Sequence, residues 1–211
     1  MYFYVFFITV VIALLYSFFS FVIKEHYCEK MEEYMLTRVD GIEASQHFIG
    51  KNAKTGIAVD EKNKKIMLVD KNINGFITRI ISYRDVLSSE IIEDGVSIIK
   101  TERASQLGGA LVGGILFGGL GAVVGGLSGA KTSGTDKVRK IELHIIVNDT
   151  QKPLHVISFL EKEVRKTGFA KYEYDQASDS VRHWHSLLNV LIKKADNKLD
   201  NSLIGVEKWN I

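Results

Sequence analysis

Histidines, acidic residues and a single cysteine are the side chains of this chain that could hold a metal or act in acid–base catalysis. Two histidines flank a tryptophan in the run His183-Trp184-His185. Residues two apart on a helix point to different faces, so these two do not serve as ligands of one metal. His144 and His155 fall on adjacent predicted strands and can face each other, but no carboxylate or cysteine accompanies them. We therefore expect no metal site.

An acidic cluster is the other candidate for catalysis. Asp85, Glu90, Glu93 and Asp94 lie near the ends of predicted strands, where carboxylates more often belong to solvated turns than to a general acid–base pair. No Ser/His/Asp or Cys/His arrangement suggests a nucleophile. The sequence therefore predicts a protein that is not an enzyme.

Two glycine-rich patterns resemble nucleotide-binding loops. Residues 125–132 read GGLSGAKT, but a Walker A motif needs glycine directly before the lysine, and Ala130 precedes Lys131 here. Residues 119–125 give GxGxxxG without a strand close before them, and a surrounding repeat explains their glycines. We predict no cofactor.

That repeat covers residues 107–130, which carry no charge and contain ten glycines. Small residues recur every four positions in two neighbouring rows. Positions four apart stack on one helix face, and two adjacent small rows let another helix backbone approach closely. The pattern is a glycine zipper. It predicts self-association through Gly109, Ala110, Gly113, Gly114, Gly118, Gly121, Ala122, Gly125, Gly126, Gly129 and Ala130.

Composition limits the remaining classes. At 211 residues, with 46% hydrophobic and 25% charged residues, the chain has the make-up of a globular protein with room for one domain and appendages. A net charge of +2 gives no support for a nucleic-acid partner. The single cysteine, Cys28, excludes an intramolecular disulfide and a cysteine-based zinc site.

Residues 1–23 form an apolar run whose only ionisable groups are tyrosines and the terminal amine. As a helix the run is about 34 Å long, enough to cross a bilayer. A cleaved signal peptide would need a basic start and a small-residue cleavage site, and both are missing. We predict an uncleaved single-pass anchor in the inner (cytoplasmic) membrane. Because Lys24, Lys30 and Arg38 all follow it, the bulk of the chain is expected in the cytoplasm.

The rest of the chain reads as strands and one helix. Residues 24–53 are expected to be a juxtamembrane helix and a linker, in which Cys28 is either an unmodified thiol or a palmitoylated one. Seven strands follow, at 56–60, 65–69, 76–83, 87–92, 96–101, 137–147 and 154–160. A helix over 174–197 has one apolar stripe, made of Ala177, Val181, Trp184, Leu188, Leu191 and Ala195. Residues 198–211 form a tail without a clear period.

Seven short strands closed by one helix resemble a pleckstrin-homology (PH)-like domain. The chain from about residue 49 to 197 is similar to bacterial and phage PH-like proteins that carry a Gly-rich insert. The resemblance rests on segments 55–60, 81–86, 89–95, 147–149, 184–188 and 194–196 together with that insert. It implies an α+β fold, an antiparallel β-sandwich or barrel with a C-terminal helix, over 54–197. It transfers no catalytic or ligand residues and no phosphoinositide binding, because fold does not fix function.

The insert, 104–133, lies between the fifth and sixth predicted strands. If those strands pair, both its ends return to the same place, and the insert is expected to be a helical hairpin bent near residues 118–121. These expectations combine into a membrane-anchored, non-enzymatic scaffold or interaction protein that self-associates through the hairpin. Its expected partners are the lipid bilayer, further copies of the chain and an unidentified protein. The alternative is a membrane-perturbing effector of phage superinfection exclusion or defence, whose assembled hairpins insert into the bilayer.

Overall fold

The computed structural model describes residues 2–37, 41–103, 136–168 and 171–207. The chain divides into two compact units, Met1–Arg79 and Ile80–Ile211. Both units are built from antiparallel strands together with one long helix each. The predicted α+β class is therefore confirmed.

The first unit begins with one unbroken helix, α1 (Tyr2–Leu36), which contains neither glycine nor proline. Its first 25 residues are exposed, and its apolar part is long enough to cross a membrane. Burial starts in the charged part, where Tyr27 and Cys28 are half-buried and Met31 and Met35 are fully buried. These positions recur at helical spacing and form one face. The prediction that the apolar helix continues into the juxtamembrane residues is confirmed.

Four antiparallel strands complete the first unit in the order β1 (Gln46–Ile49), β2 (Thr55–Asp60), β3 (Lys65–Asn72) and β4 (Gly75–Ser82). The predicted linker is wrong at β1, where Phe48 pairs with Ile57 of β2. All four residues of β1 are half-buried, since it lies at the sheet edge. β2 and β3 supply the core of this unit, with Ile57, Val59 and Ile66 among its buried side chains.

The second unit starts within the last residues of β4, and a short 3-10 helix, Tyr83–Asp85, follows, capped by Ser82. β5 (Val86–Glu93), β6 (Val96–Glu102), β7 (Lys137–Val147), β8 (Leu154–Arg165) and the helix α2 (Lys171–Glu207) follow. The described strands number eight rather than seven because of β1. α2 begins earlier than predicted and runs into the expected tail. All six residues of its predicted apolar stripe are buried.

The strand order of the second sheet is β6-β5-β7-β8. β5 pairs antiparallel with β6 on one side and with β7 on the other, so β6 and β7 run parallel to each other. The expectation that the fifth and sixth predicted strands pair is therefore wrong. The alternation predicted for β7 is confirmed, since Ile141, Leu143 and Ile145 are buried while Glu142 and His144 are partly exposed.

Candidate functional site at the two ends of the glycine-rich segment

The self-association residues predicted from the sequence, Gly109 to Ala130, lie outside the described residues, as does the predicted hairpin. The structure does describe the residues that flank the segment. Arg103 follows β6 on one side, and Asp136 precedes β7 on the other. Both are held by specific polar contacts, which fix where the segment leaves the sheet and where it returns.

Arg103 is held by a buried set of hydrogen bonds, although arginine is seldom buried. Its residue is 3% exposed. Its Nε donates to the Val86 carbonyl at 3.2 Å, and its Nη2 donates to the Tyr83 carbonyl at 2.8 Å. Nη1 lies 3.0 Å from Oδ1 of Asp196 on α2. The planar fork of arginine suits such simultaneous contacts, and together they compensate the buried charge.

His185 forms a second link between α2 and the sheet beside Arg103. Its Nδ1 lies 3.0 Å from Oγ of Ser89 on β5, and its Nε2 lies 3.1 Å from Oγ1 of Thr101 on β6. Ser89 and Thr101 are direct partners in the strand register, so one imidazole joins two strands to the helix. Burial lowers the pKa of His185 below its usual value, which keeps the ring neutral.

The other end of the segment is held by hydrogen bonds to the backbone and the carboxylates of Asp136 and Asp94. The Asp136 carbonyl accepts a hydrogen bond from the Lys166 N–H at 2.8 Å, and its carboxylate accepts one from the Thr167 hydroxyl at 2.5 Å. Oδ1 of Asp94 accepts from the N–H groups of Arg139 and Lys140 at 2.9 and 2.8 Å. The start of β7 is thus attached both to the end of β8 and to the turn after β5.

Glu93 ties the same region to α2. Its carboxylate contacts Nζ of Lys166 at 2.5 Å and accepts a hydrogen bond from the Tyr174 hydroxyl at 3.1 Å. The hydrogen bond with Glu93 raises the pKa of Lys166, so this lysine is charged when it contacts the carboxylate.

The two ends of the segment lie at opposite ends of β5. The Arg103 N–H donates to the Leu87 carbonyl, near the first residue of β5. The start of β7 is bound at Asp94, just beyond the last residue of that strand. Leu87 and Asp94 are seven residue steps apart along the extended strand, which is about 23 Å. The segment therefore connects parallel strands across the sheet, and the expectation that its ends meet is wrong.

Among the described residues, Ser89 and His185 do not form a Ser/His/Asp arrangement. Ser89 and His185 lie within hydrogen-bond distance of each other, but both are buried. The other ring nitrogen of His185 contacts the hydroxyl of Thr101 and not a carboxylate. The predicted acidic cluster is dispersed, because Asp85 precedes β5 whereas Glu93 and Asp94 lie at its far end. Among the described residues, no three histidine, cysteine or acidic side chains come together in a metal-binding group.

The histidine pairs also differ from their sequence-based interpretation. His183 is exposed and His185 is buried, and Trp184 between them lies in the core as its place in the apolar stripe predicts. In the β7–β8 register, His144 pairs with Val156, and His155 pairs with the residue after His144. Successive residues of a strand point to opposite faces, so the expectation that these two histidines face each other is wrong.

Residues 46–161 match the family described as glycine zipper containing PH domain. The chain is 35% identical over 150 residues to a protein of Bacillus phage SPbeta named Immunity protein. This alignment covers 68% of this chain and 72% of that protein. It is also 35% identical over 150 residues to an SPbeta prophage-derived membrane protein of Bacillus subtilis, of which the alignment covers 64%. The chain thus matches less than two thirds of that second relative's length. No solved structure matches the chain.

Proposed function

The chain belongs to the family of PH domains that contain a glycine zipper, and from this premise we propose that it is a membrane-anchored, non-enzymatic interaction protein that self-associates through residues 107–130. The observation that carries the proposal is the pair of small-residue rows in residues 107–130, which lie within the match to a family whose description includes a glycine zipper. Parallel rows of small residues are the pattern by which helices pack closely in membranes.

The anchor is supported by α1. Its apolar residues are exposed along the whole stretch that could span a bilayer, and such a surface in water would be an aggregation site. One relative is named a membrane protein. The basic residues Lys24 and Lys30 follow the span and support the proposal that the rest of the chain lies on the cytoplasmic side of the inner membrane.

The sheet of the second unit limits how residues 104–135 relate to the bilayer. β6 and β7 both pair with β5, so a single crossing of the membrane between them would separate strands of one sheet. The segment starts and ends on the same side. A hairpin satisfies this condition. A single helix of 24 residues, about 36 Å long, also satisfies it when it lies on one side of the bilayer and connects the end of β6 to the start of β7, about 23 Å apart. In both forms the two rows of small residues are the surface offered to a second copy.

Self-association is tested by the size of the full chain in detergent. Gly114→Leu and Gly118→Leu place large side chains in one row and should convert an oligomer into a monomer, as measured by light scattering. Ile115→Leu changes an apolar residue outside the rows and serves as the matched control. The proposal is wrong if the unaltered chain is already a monomer, or if both glycine variants keep its oligomeric size.

A second candidate function follows from the phage relative named Immunity protein. In this reading the chain is an effector of superinfection exclusion or defence, and assembled copies of residues 107–130 perturb the bilayer. Induced expression should then depolarise the membrane rapidly, and the loss should vanish when residues 107–130 are replaced by a Gly/Ser linker of equal length. Harmless expression would exclude this function and leave self-association to be judged by size alone.

A further inference from the structure

We propose that two copies of this chain join edge to edge through β6, whose outer edge pairs antiparallel with the same strand of the second copy. The contact is centred on Lys100, Thr101 and Glu102, outside residues 107–130. It rests on the proposed self-association, which gathers copies in one membrane and so raises their effective concentration. It adds a second surface through which those copies bind.

β6 is an edge strand of its sheet. It pairs with β5 on one side, and no strand that the structure describes pairs with its other side. An edge strand offers unpaired backbone groups to another chain, and most proteins shield it. β6 is poorly shielded, since three of its large apolar residues are exposed: Val96 by 53%, Ile98 by 44% and Ile99 by 36%. The opposite edge strand, β8, is instead bound to α2 through Lys162 and Glu173.

The N–H and C=O groups of Lys100 and Glu102 point to the outer edge. The Arg103 N–H donates to the Leu87 carbonyl, which continues the register in which Ser88 lies opposite Glu102. Opposed residues of an antiparallel pair alternate between those that exchange two hydrogen bonds and those that exchange none. Lys100 and Glu102 belong to the second kind with respect to β5. Their backbone groups are therefore directed toward a strand on the outer side.

The charges of these two residues make the edge complementary to itself. When Lys100 lies opposite Glu102 of the second copy, Glu102 lies opposite the second copy's Lys100, and a twofold axis passes through Thr101. Both opposed pairs then exchange backbone hydrogen bonds. A shift of two residues in either direction places two lysines or two glutamates opposite each other, which is destabilising. One register thus pairs unlike charges.

The side chains of Lys100 and Glu102 are already placed for this contact. They lie on one face of β6, because they are two residues apart, and they form an ion pair within the strand. In the paired strands each of them gains a second opposite charge across the axis. Thr101 points to the other face, where His185 of α2 contacts both Thr101 and Ser89 of β5. At this point α2 therefore lies over the sheet and not beside its edge.

Disulfide crosslinking tests the axis in the full chain, purified in detergent on a Cys28→Ser background and oxidised with copper phenanthroline. Two copies of Thr101→Cys would face each other as a pair without hydrogen bonds, about 4.5 Å apart between Cα atoms, which is within disulfide range. We expect a covalent dimer. Ile99→Cys, on the same face of the strand, is the matched control. Its two copies would be about 13 Å apart along the strands and should not crosslink.

Charge reversal tests the register. Lys100→Glu or Glu102→Lys, each added to Thr101→Cys, places like charges opposite each other and should lower the crosslinked fraction at least about fivefold. Co-expression of the two variants, with tags of different length, should restore a mixed dimer, because two acidic residues of one chain then face two lysines of the other. The ion pair within each strand stays broken in that mixture. Recovery therefore reports a contact between copies and not a repaired fold.

Light scattering of the same samples separates this inference from the proposed function. An oligomer without a crosslink at position 101, or with equal crosslinking at positions 99 and 101, overturns the β6 contact and leaves self-association through residues 107–130 standing. An unaltered chain that is a monomer overturns both. Failure of the co-expressed variants to form the mixed dimer would also refute the contact.

Discussion

Met35 of α1 fills the space above Gly56 of β2: a Cβ atom at position 56 would lie 2.9 Å from Sδ of Met35 and 3.1 Å from Sδ of Met31. A side chain at position 56 would therefore force the thioether ends of both methionines to move, whereas glycine lets them pack directly on β2. The juxtamembrane helix is for this reason part of the folded unit and not a free tether.

A larger residue at position 56 should weaken this packing. We expect Gly56→Val to lower the free energy of unfolding by about 1–3 kcal/mol, because overpacking forces the methionines to move. Thermal unfolding in detergent measures the loss. The half-buried Cys28 should also react faster with a maleimide in this variant, since α1 is displaced. Lys65→Ala, exposed on β3, should change neither value. Unaltered stability of Gly56→Val would contradict the packing.

The ion pair between the buried Arg103 and the partly exposed Asp196 gives a second prediction. Asp196→Asn removes the negative partner of the Arg103 guanidinium, which then contacts only the carbonyl groups of Tyr83 and Val86. We expect this change to lower the free energy of unfolding by about 3 kcal/mol, because a buried charge loses its counter-charge. Arg103→Met with Asp196→Leu should be more stable than Asp196→Asn, because no charge remains buried.

The control for this pair lies on the same helix. Lys162 and Glu173 form an exposed ion pair between β8 and α2, and Glu173→Gln should cost less than about 1 kcal/mol. If Asp196→Asn lowers the free energy of unfolding no more than Glu173→Gln does, the contact of Asp196 with Arg103 is not needed to hold the chain at the start of the glycine-rich segment.

Local periodicity was sufficient to predict most of the fold. The alternation of β7 and the apolar stripe of α2 each predict one buried face, and those faces are buried in the structure. β1 was missed because its four residues are half-buried at an edge and carry no apolar alternation. Its pairing depends on β2, which follows it in the chain.

The candidate site was not predictable because its contacts join distant parts of the chain. His185 lies 96 residues from Ser89 and 84 from Thr101, and no spacing rule relates them. The partners of Arg103, at Tyr83, Val86 and Asp196, likewise lie far from it in the chain, and its place before an apolar segment gives no sign of burial. The strand order was missed for the same reason, since a sequence pattern identifies a strand but not its neighbour.

His185 gives a prediction for pH. Burial lowers the pKa of its folded form below the ordinary value of 6.5, so the unfolded chain binds a proton more readily. Its contribution to stability is fully present above pH 6.5 and is lost as the pH falls through the folded-state pKa. We expect the melting temperature to fall when the pH is lowered below 6.5. His185→Gln should show a smaller fall, while His183→Gln, at an exposed position on the same helix, should match the unaltered chain. Equal slopes for all three would contradict the assignment.

The separation of Arg103 from Asp136 predicts how the chain tolerates removal of its glycine-rich segment. Deleting residues 107–130 leaves residues 104–106 and 131–135, which fully extended join the two ends over about 30 Å. The separation along β5 is already about 23 Å, and the connection must also cross β5, because this strand lies between β6 and β7. We expect the deletion to lower the melting temperature, because the short connection pulls on the contacts of Arg103 and Asp136. A Gly/Ser linker of 24 residues in place of 107–130 should leave that temperature near its original value. A deletion as stable as the linker variant would show that the two ends lie closer together than the strand order requires.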